Sequence, residues 1–172
     1  MISSGVVGSN PPKAVRPGET DVSEDSPKVR DRLALRLSTE YMLRSIDLMT
    51  KVVGGDLVKG LIFVAVVQAN TQHILSDEQM SQAYSEADDS VPDDARRPVS
   101  VHALSVSLGI PYETTRRYVN KLLADGYCMR VRRGLVVPAE VLNQPEMISA
   151  LKRNFANLQR LVVGLRRGGV DF

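Results

Sequence analysis

The stretch from Ser100 to Gly126 constrains the fold more than any other part of the chain. Ser100 precedes apolar residues spaced by three and four at Val101, Leu104 and Leu108, the pattern of a short amphipathic helix with a serine cap. Gly109 breaks that helix, Ile110 is expected to plug the turn, and Pro111 suits the first turn of a second helix that Asp125 and Gly126 end. A chain punctuated in this way must carry two helices across a tight turn. Thr115, Val119, Leu122 and Leu123 are expected to face inward, with Ala103 small enough for close helix contact. Tyr112, Glu113, Thr114, Arg116, Arg117, Asn120 and Lys121 are then left for the outward face and its margins.

After Gly126, Tyr127 to Arg132 reads as a strand, Arg133 and Gly134 as a turn, and Leu135 to Val137 as the returning strand, ended by Pro138. Arg130, Arg132 and Arg133 lie at or near the tip of this short hairpin. The order of helix, tight turn, helix and basic hairpin is that of a winged helix-turn-helix. In that arrangement the second helix enters a major groove and the hairpin reaches the backbone or the minor groove.

The charge distribution points the same way. The whole chain sums to +2, but Met1 to Ala95 holds 9 basic and 15 acidic residues, whereas Arg96 to Phe172 holds 13 basic and 5 acidic ones. Binding follows local potential, so the basic half is a candidate polyanion surface and the near-neutral total is misleading. Double-stranded DNA is the expected partner. Arg117 can hold a guanine through two hydrogen bonds, and Glu113 can accept from a cytosine amino group or orient an arginine. Ser100, Thr114, Arg116, Lys121, Arg130, Arg132 and Arg133 are expected to hold phosphates, which position a protein without reading bases.

The run from Ser100 to Gly126 resembles the winged helix-turn-helix of bacterial transcription regulators, including the MarR, IclR, GntR and Crp/Fnr groups. The resemblance rests on Ala103, Leu108-Gly109, Glu113-Thr114, Arg117 and the closing Leu122-Leu-Ala-Asp-Gly126, and covers about 40 residues. It implies that Tyr112, Glu113 and Arg117 read base edges, as the matching positions do in the Crp/Fnr group. Tyr112 stands where that group usually has arginine and Thr115 where it has an aliphatic residue, and the chain has no β-rich nucleotide-binding domain, so the likeness to that group does not extend to the whole chain.

Around this segment the composition divides the chain. Residues 1–27 carry four prolines among glycine, serine and acidic residues and read as a disordered tail without a secretory signal. Residues 28–76 read as a helical hairpin for dimerisation, with Gly54-Gly55 at its turn and Asp56 capping a second helix that is apolar nearly all round. Residues 77–98 form an acidic linker, 99–140 the winged helix-turn-helix, and 141–172 a C-terminal helix beginning at Pro145. The expected fold is therefore mainly α with a small β-hairpin, flanked by long terminal helices.

Leu35, Met42, Ile46, Met49 and Val53 form one stripe, and Leu151, Phe155, Leu158 and Val162 belong to a second at near-heptad spacing. Both are expected to dimerise the chain, at least in part. Long helices on either side of a winged domain also resemble the dimer of the MarR family, which further suggests a small apolar effector between the N-terminal helices and the winged domain. The alternative is a winged-helix module that docks a protein through its apolar helices and never touches DNA.

Catalytic chemistry is not expected. There is no Gly-x-Ser-x-Gly, no phosphate-cradling glycine loop and no metal-ligand spacing, and no cofactor follows from the residues. His73 and His102 read as ordinary residues, and the single Cys128 as a small buried hydrophobe. The longest apolar run, Leu57 to Ala69, is too short to span a bilayer, so no membrane is expected and the cytoplasm is the expected location.

Overall fold

The computed structural model describes residues 27–75, 91–132 and 134–170. The expected tail, most of the acidic linker and Arg133 lie outside the described residues. Helix α1 runs Pro27–Lys51 and α2 Leu57–Leu75. A 3₁₀ turn at Asp93–Ala95 leads to α3 (Val101–Leu108) and α4 (Tyr112–Ala124). Strands β1 (Met129–Val131) and β2 (Gly134–Val136), a short α5 (Ala139–Leu142) and a long α6 (Pro145–Arg167) complete the chain. The protein is mainly helical with one small antiparallel sheet. Strand β1 is shorter than the sequence suggested, β2 keeps the expected length but begins one residue earlier, and α5, a single turn, was not expected at all.

The local signals act as their chemistry predicts. Ser100 Oγ accepts from Ala103 N at 3.1 Å and caps α3, and Gly109 ends it at φ 64°, a left-handed conformation that costs glycine nothing. Asp56 Oδ1 accepts from Lys59 N at 3.1 Å and caps α2. Thr115 is fully buried, and its hydroxyl donates to Pro111 O at 3.2 Å, which satisfies the one polar group on the inner face of α4.

Helix α2 is central, as its apolar circumference required. Its Ile62, Phe63 and Val66 share one core with Leu104 of α3, Val119 and Leu122 of α4, and Leu135 and Val137 of the hairpin. The division expected after residue 76 is thus not a division of the core, because α2 is packed into the unit that follows it. Val53 belongs to the same core and is 1% exposed, so it cannot serve a dimer face, which corrects the expected stripe. The chain turns sharply after Lys51, which takes Val53 off the helix and inward.

Two buried polar side chains that the sequence reading passed over hold this core together. Asn70 Nδ2 donates to Arg97 O at 2.8 Å and Leu135 O at 3.0 Å, and its Oδ1 accepts from Val137 N at 3.0 Å. It therefore stitches α2 to both β2 and the segment before α3. Lys59 Nζ donates to Val53 O at 3.0 Å, pairs with Asp125 at the end of α4, and lies 5.0 Å from the Tyr127 ring centroid. A charge buried on the apolar helix is tolerable only with such partners.

Val99 and Leu135 exchange backbone hydrogen bonds of 3.1 and 2.9 Å, which adds a one-residue third strand beside β2. Gly134 allows this approach, since a Cβ there would stand 2.6 Å from Pro98 Cβ. The 91–99 segment is itself anchored by Arg96, whose Nε and Nη2 donate to Val91 O at 3.0 and 2.7 Å. Burial lowers the Arg96 pKa and neighbouring Asp93 opposes that shift. Asp93 Oδ1 also accepts from Ala139 N at 2.7 Å at the start of α5.

Cys128 is buried beside this core, and desolvation pushes its thiol up to about 12. The thiol should stay protonated and resist alkylation at pH 8 until the protein unfolds, which trapping with iodoacetamide across a urea series would measure. Because the folded pKa lies above the unfolded one, this group favours the folded state fully below about pH 8.5 and loses that contribution as pH rises towards 12. Cys128→Ala should flatten the decline in stability over that interval.

Candidate nucleic-acid interface

Helix α4 presents its polar face to solvent because its apolar face is used up by the core. At about 100° per residue, Thr115, Val119 and Leu122 occupy one side, and Glu113, Arg117 and Asn120 fall within about 60° of one another on the opposite side. Glu113, Thr114, Arg116, Arg117 and Asn120 line a shallow open hollow on this face. Leu123, expected inward, is only partly buried.

The side chains expected to contact nucleic acid differ in how they are engaged. Arg116 donates from Nε to Glu113 Oε2 at 2.9 Å, and this hydrogen bond, followed by the charge of Glu113, raises the Arg116 pKa. Lys121 turns away from the outward line, lying 3.6 Å from Asp56 and 4.5 Å from the Tyr118 ring. Ser100 is occupied with its capping bond, although it remains exposed. Tyr112 is exposed but sits about 100° around the helix from Glu113, beside the buried flank. Thr114 is half-buried at the other margin.

Arg117 is differently placed. Its guanidinium lies 5.5 Å from the Tyr118 ring and, among the described residues, has no carboxylate partner. Asn120, which the sequence placed on this face without a role, is exposed and its amide makes no hydrogen bond to another described residue.

The hairpin stands next in the chain. Its register pairs Met129 with Val136, Arg130 with Leu135 and Val131 with Gly134, so the chain reverses between Val131 and Gly134, where Arg132 is described. Arg132 adopts φ 55°, the left-handed region a tight hairpin turn demands and a costly one for a side chain with a Cβ. Arg130 and Arg132 are exposed, whereas all of β2 is buried. The hairpin is thus anchored on one strand and offers cations from the other.

The expected dimer stripes are only partly free. Helices α1 and α6 pack antiparallel: Leu37 faces Gly164, Leu33 faces Gly168, and Ser45 Oγ donates to Asn154 Oδ1 at 3.0 Å. Leu35 (69%), Met42, Leu151, Phe155 (60%) and Leu158 remain exposed, while Ile46, Met49 and Val162 are half-buried. An open hollow of about 520 Å³ lies between α1 and α6, lined by Leu43, Leu48, Ala156, Arg153 and Arg160 among others. Between α2 and the unit of α3, α4 and the hairpin, where the resemblance suggested an effector, the core is continuous.

Among the described residues no group of His, Cys, Asp and Glu could hold a metal ion, and no helix is long and apolar enough to cross a membrane. His73 Nε2–H donates to Ala95 O at 2.9 Å, a structural role. No family model matches the chain, and neither a curated protein nor a solved structure is significantly similar to it.

Proposed function

We propose that this chain is a cytoplasmic, sequence-specific DNA-binding transcription regulator that acts as a homodimer at a pseudo-palindromic operator. In this reading α3 and α4 form the helix-turn-helix of a winged domain and α4 enters the major groove. Arg130 and Arg132 of the hairpin meet phosphates or the minor groove. The observation that carries it is the outward line of α4, where Arg117 has no carboxylate partner among the described residues and lies between Arg116 and Lys121, followed in the chain by a hairpin with exposed Arg130 and Arg132.

The apolar stripes support the homodimer. Measured from the α1/α6 contact line, the Leu151–Phe155–Leu158 stripe is rotated by about 100° and the Leu35–Met42 stripe by about 140° in the same sense. In an antiparallel pair, this puts both stripes on the same side of the contact, splayed apart. A second copy would cover them and set two α4 helices on half-sites about 34 Å apart.

Fluorescence anisotropy with a pool of genomic fragments, followed across a salt series, tests the reading. Binding should weaken steeply with salt, with a slope of about −0.9 per phosphate contacted. Micromolar or weaker binding with no salt slope at low ionic strength would overturn it. Phe155→Glu should convert the dimer to monomer in light scattering and cost about 100-fold or more on a two-half-site operator, since each half-site would then be bound alone. Charge reversal at Arg117 should leave the dimer intact.

A further inference from the structure

We infer that Asn120 is a base-reading residue that selects adenine, one or two base steps from a guanine held by Arg117. The inference deepens the proposed function and rests on it.

Four polar side chains at positions i, i+3, i+4 and i+7 of α4, namely Glu113, Arg116, Arg117 and Asn120, surround the open hollow on its outer face, with Thr114 at the margin. This spacing lets a helix lying in the major groove touch base edges over two turns. Two of the four are already engaged, because Glu113 and Arg116 hold each other at 2.9 Å. Lys121 is drawn aside by Asp56 and Tyr118. Arg117 and Asn120 remain with hydrogen-bonding capacity unspent on the central line. Two other asparagines behave differently: Asn70 is spent on three backbone groups and Asn154 on Ser45.

The chemistry of the two free groups is complementary. A guanidinium offers two donors, matching O6 and N7 of guanine, whereas a carboxamide offers one donor and one acceptor, matching N7 and the amino group of adenine. Three residues along a helix span about 4.5 Å, and stacked bases are about 3.4 Å apart. Adjacent or next-adjacent base pairs are therefore within reach of the two side chains.

Selection of sites from a random duplex library by the full-length protein, repeated with Asn120→Ala and Asn120→Asp, tests this. The wild type should select a half-site with guanine and adenine one or two steps apart. Asn120→Ala should lose the adenine preference alone, with binding to the selected site about 5- to 150-fold weaker and the salt slope unchanged. Asn120→Asp, which lacks the donor, should also lose it. Asn120 is exposed, so an unchanged circular-dichroism melt is expected for both variants. Equal weakening on all sequences, with a shallower salt slope, would assign Asn120 to a phosphate and overturn the inference. An unchanged selected sequence would overturn it too. If the wild type shows no salt-dependent binding, the DNA-binding reading itself fails and takes this inference with it.

Discussion

Replacing Asn70 by leucine is expected to lower the unfolding free energy by about 3–5 kcal/mol, although no functional residue is touched. The variant keeps the branching of the side chain while enlarging it, and removes three hydrogen bonds, two of them fully buried. Leu135 O retains its bond from Val99 N, but Arg97 O and Val137 N lose their side-chain partner. Each buried backbone group left unsatisfied costs about 1–3 kcal/mol. At about 2–4 °C per kcal/mol for a chain of this size, the midpoint should fall by about 6–20 °C. Urea and thermal unfolding would measure it, and a loss below about 1 kcal/mol would show that the backbone relaxes to new partners. Because Asn70 joins β2 to α2, hydrogen exchange in Leu135 to Val137 should accelerate more than in α6.

The second large effect is on binding. Arg117→Met should weaken the best DNA site by about 5- to 150-fold, the range of about 1–3 kcal/mol for one bidentate base contact, and should erase the guanine preference at one position. The methionine retains the apolar stem against Tyr118, so the loss reports the guanidinium. Arg116→Ala should cost less, because its charge is already shared with Glu113. Arg130→Ala and Arg132→Ala should weaken all sequences alike and lower the salt slope by about 1 each. Quantitative anisotropy on matched and mismatched duplexes separates these cases. An Arg117 variant that weakens every sequence equally would place that residue on a phosphate.

What could be read from the sequence was the part whose causes are local. Ser100, Gly109 and Pro111 act on residues within five positions of themselves, and α3, the turn and α4 follow from them to within a residue. The long helices were legible from their freedom from proline and glycine. The ties between elements were not: Asn70 reaches across 27 and 67 residues, Lys59 across 66, and Asp93 across 46. One signal was available. Lys59, Phe63, Val66, Asn70 and Ile74 recur at helical spacing, so two polar residues fall on the buried stripe of the most apolar helix, where they must have partners.

The basic half of the chain does not present all of its cations on one surface. Of the 13 basic residues after residue 95, Arg96 is buried as a structural anchor, and Lys152, Arg153, Arg160, Arg166 and Arg167 lie on α6. Net charge by halves thus located the candidate surface while overstating how many cations serve it. The same limit applies to α4, where spacing places a residue on a face but cannot show which neighbours already hold it.

The central position of α2 decides how far the protein can be dissected. A fragment spanning only residues 91 to 142 would keep both short helices and the hairpin, yet would expose the surfaces that Ile62, Phe63, Val66 and Asn70 now cover. Conversely, α1 packs against both α2 and α6, so the terminal helices do not separate cleanly from α2 and its buried lysine. The chain is in this sense not portable by halves. If α4 reads DNA as proposed, new specificities are more readily introduced by exchanging its outward residues than by building chimeras.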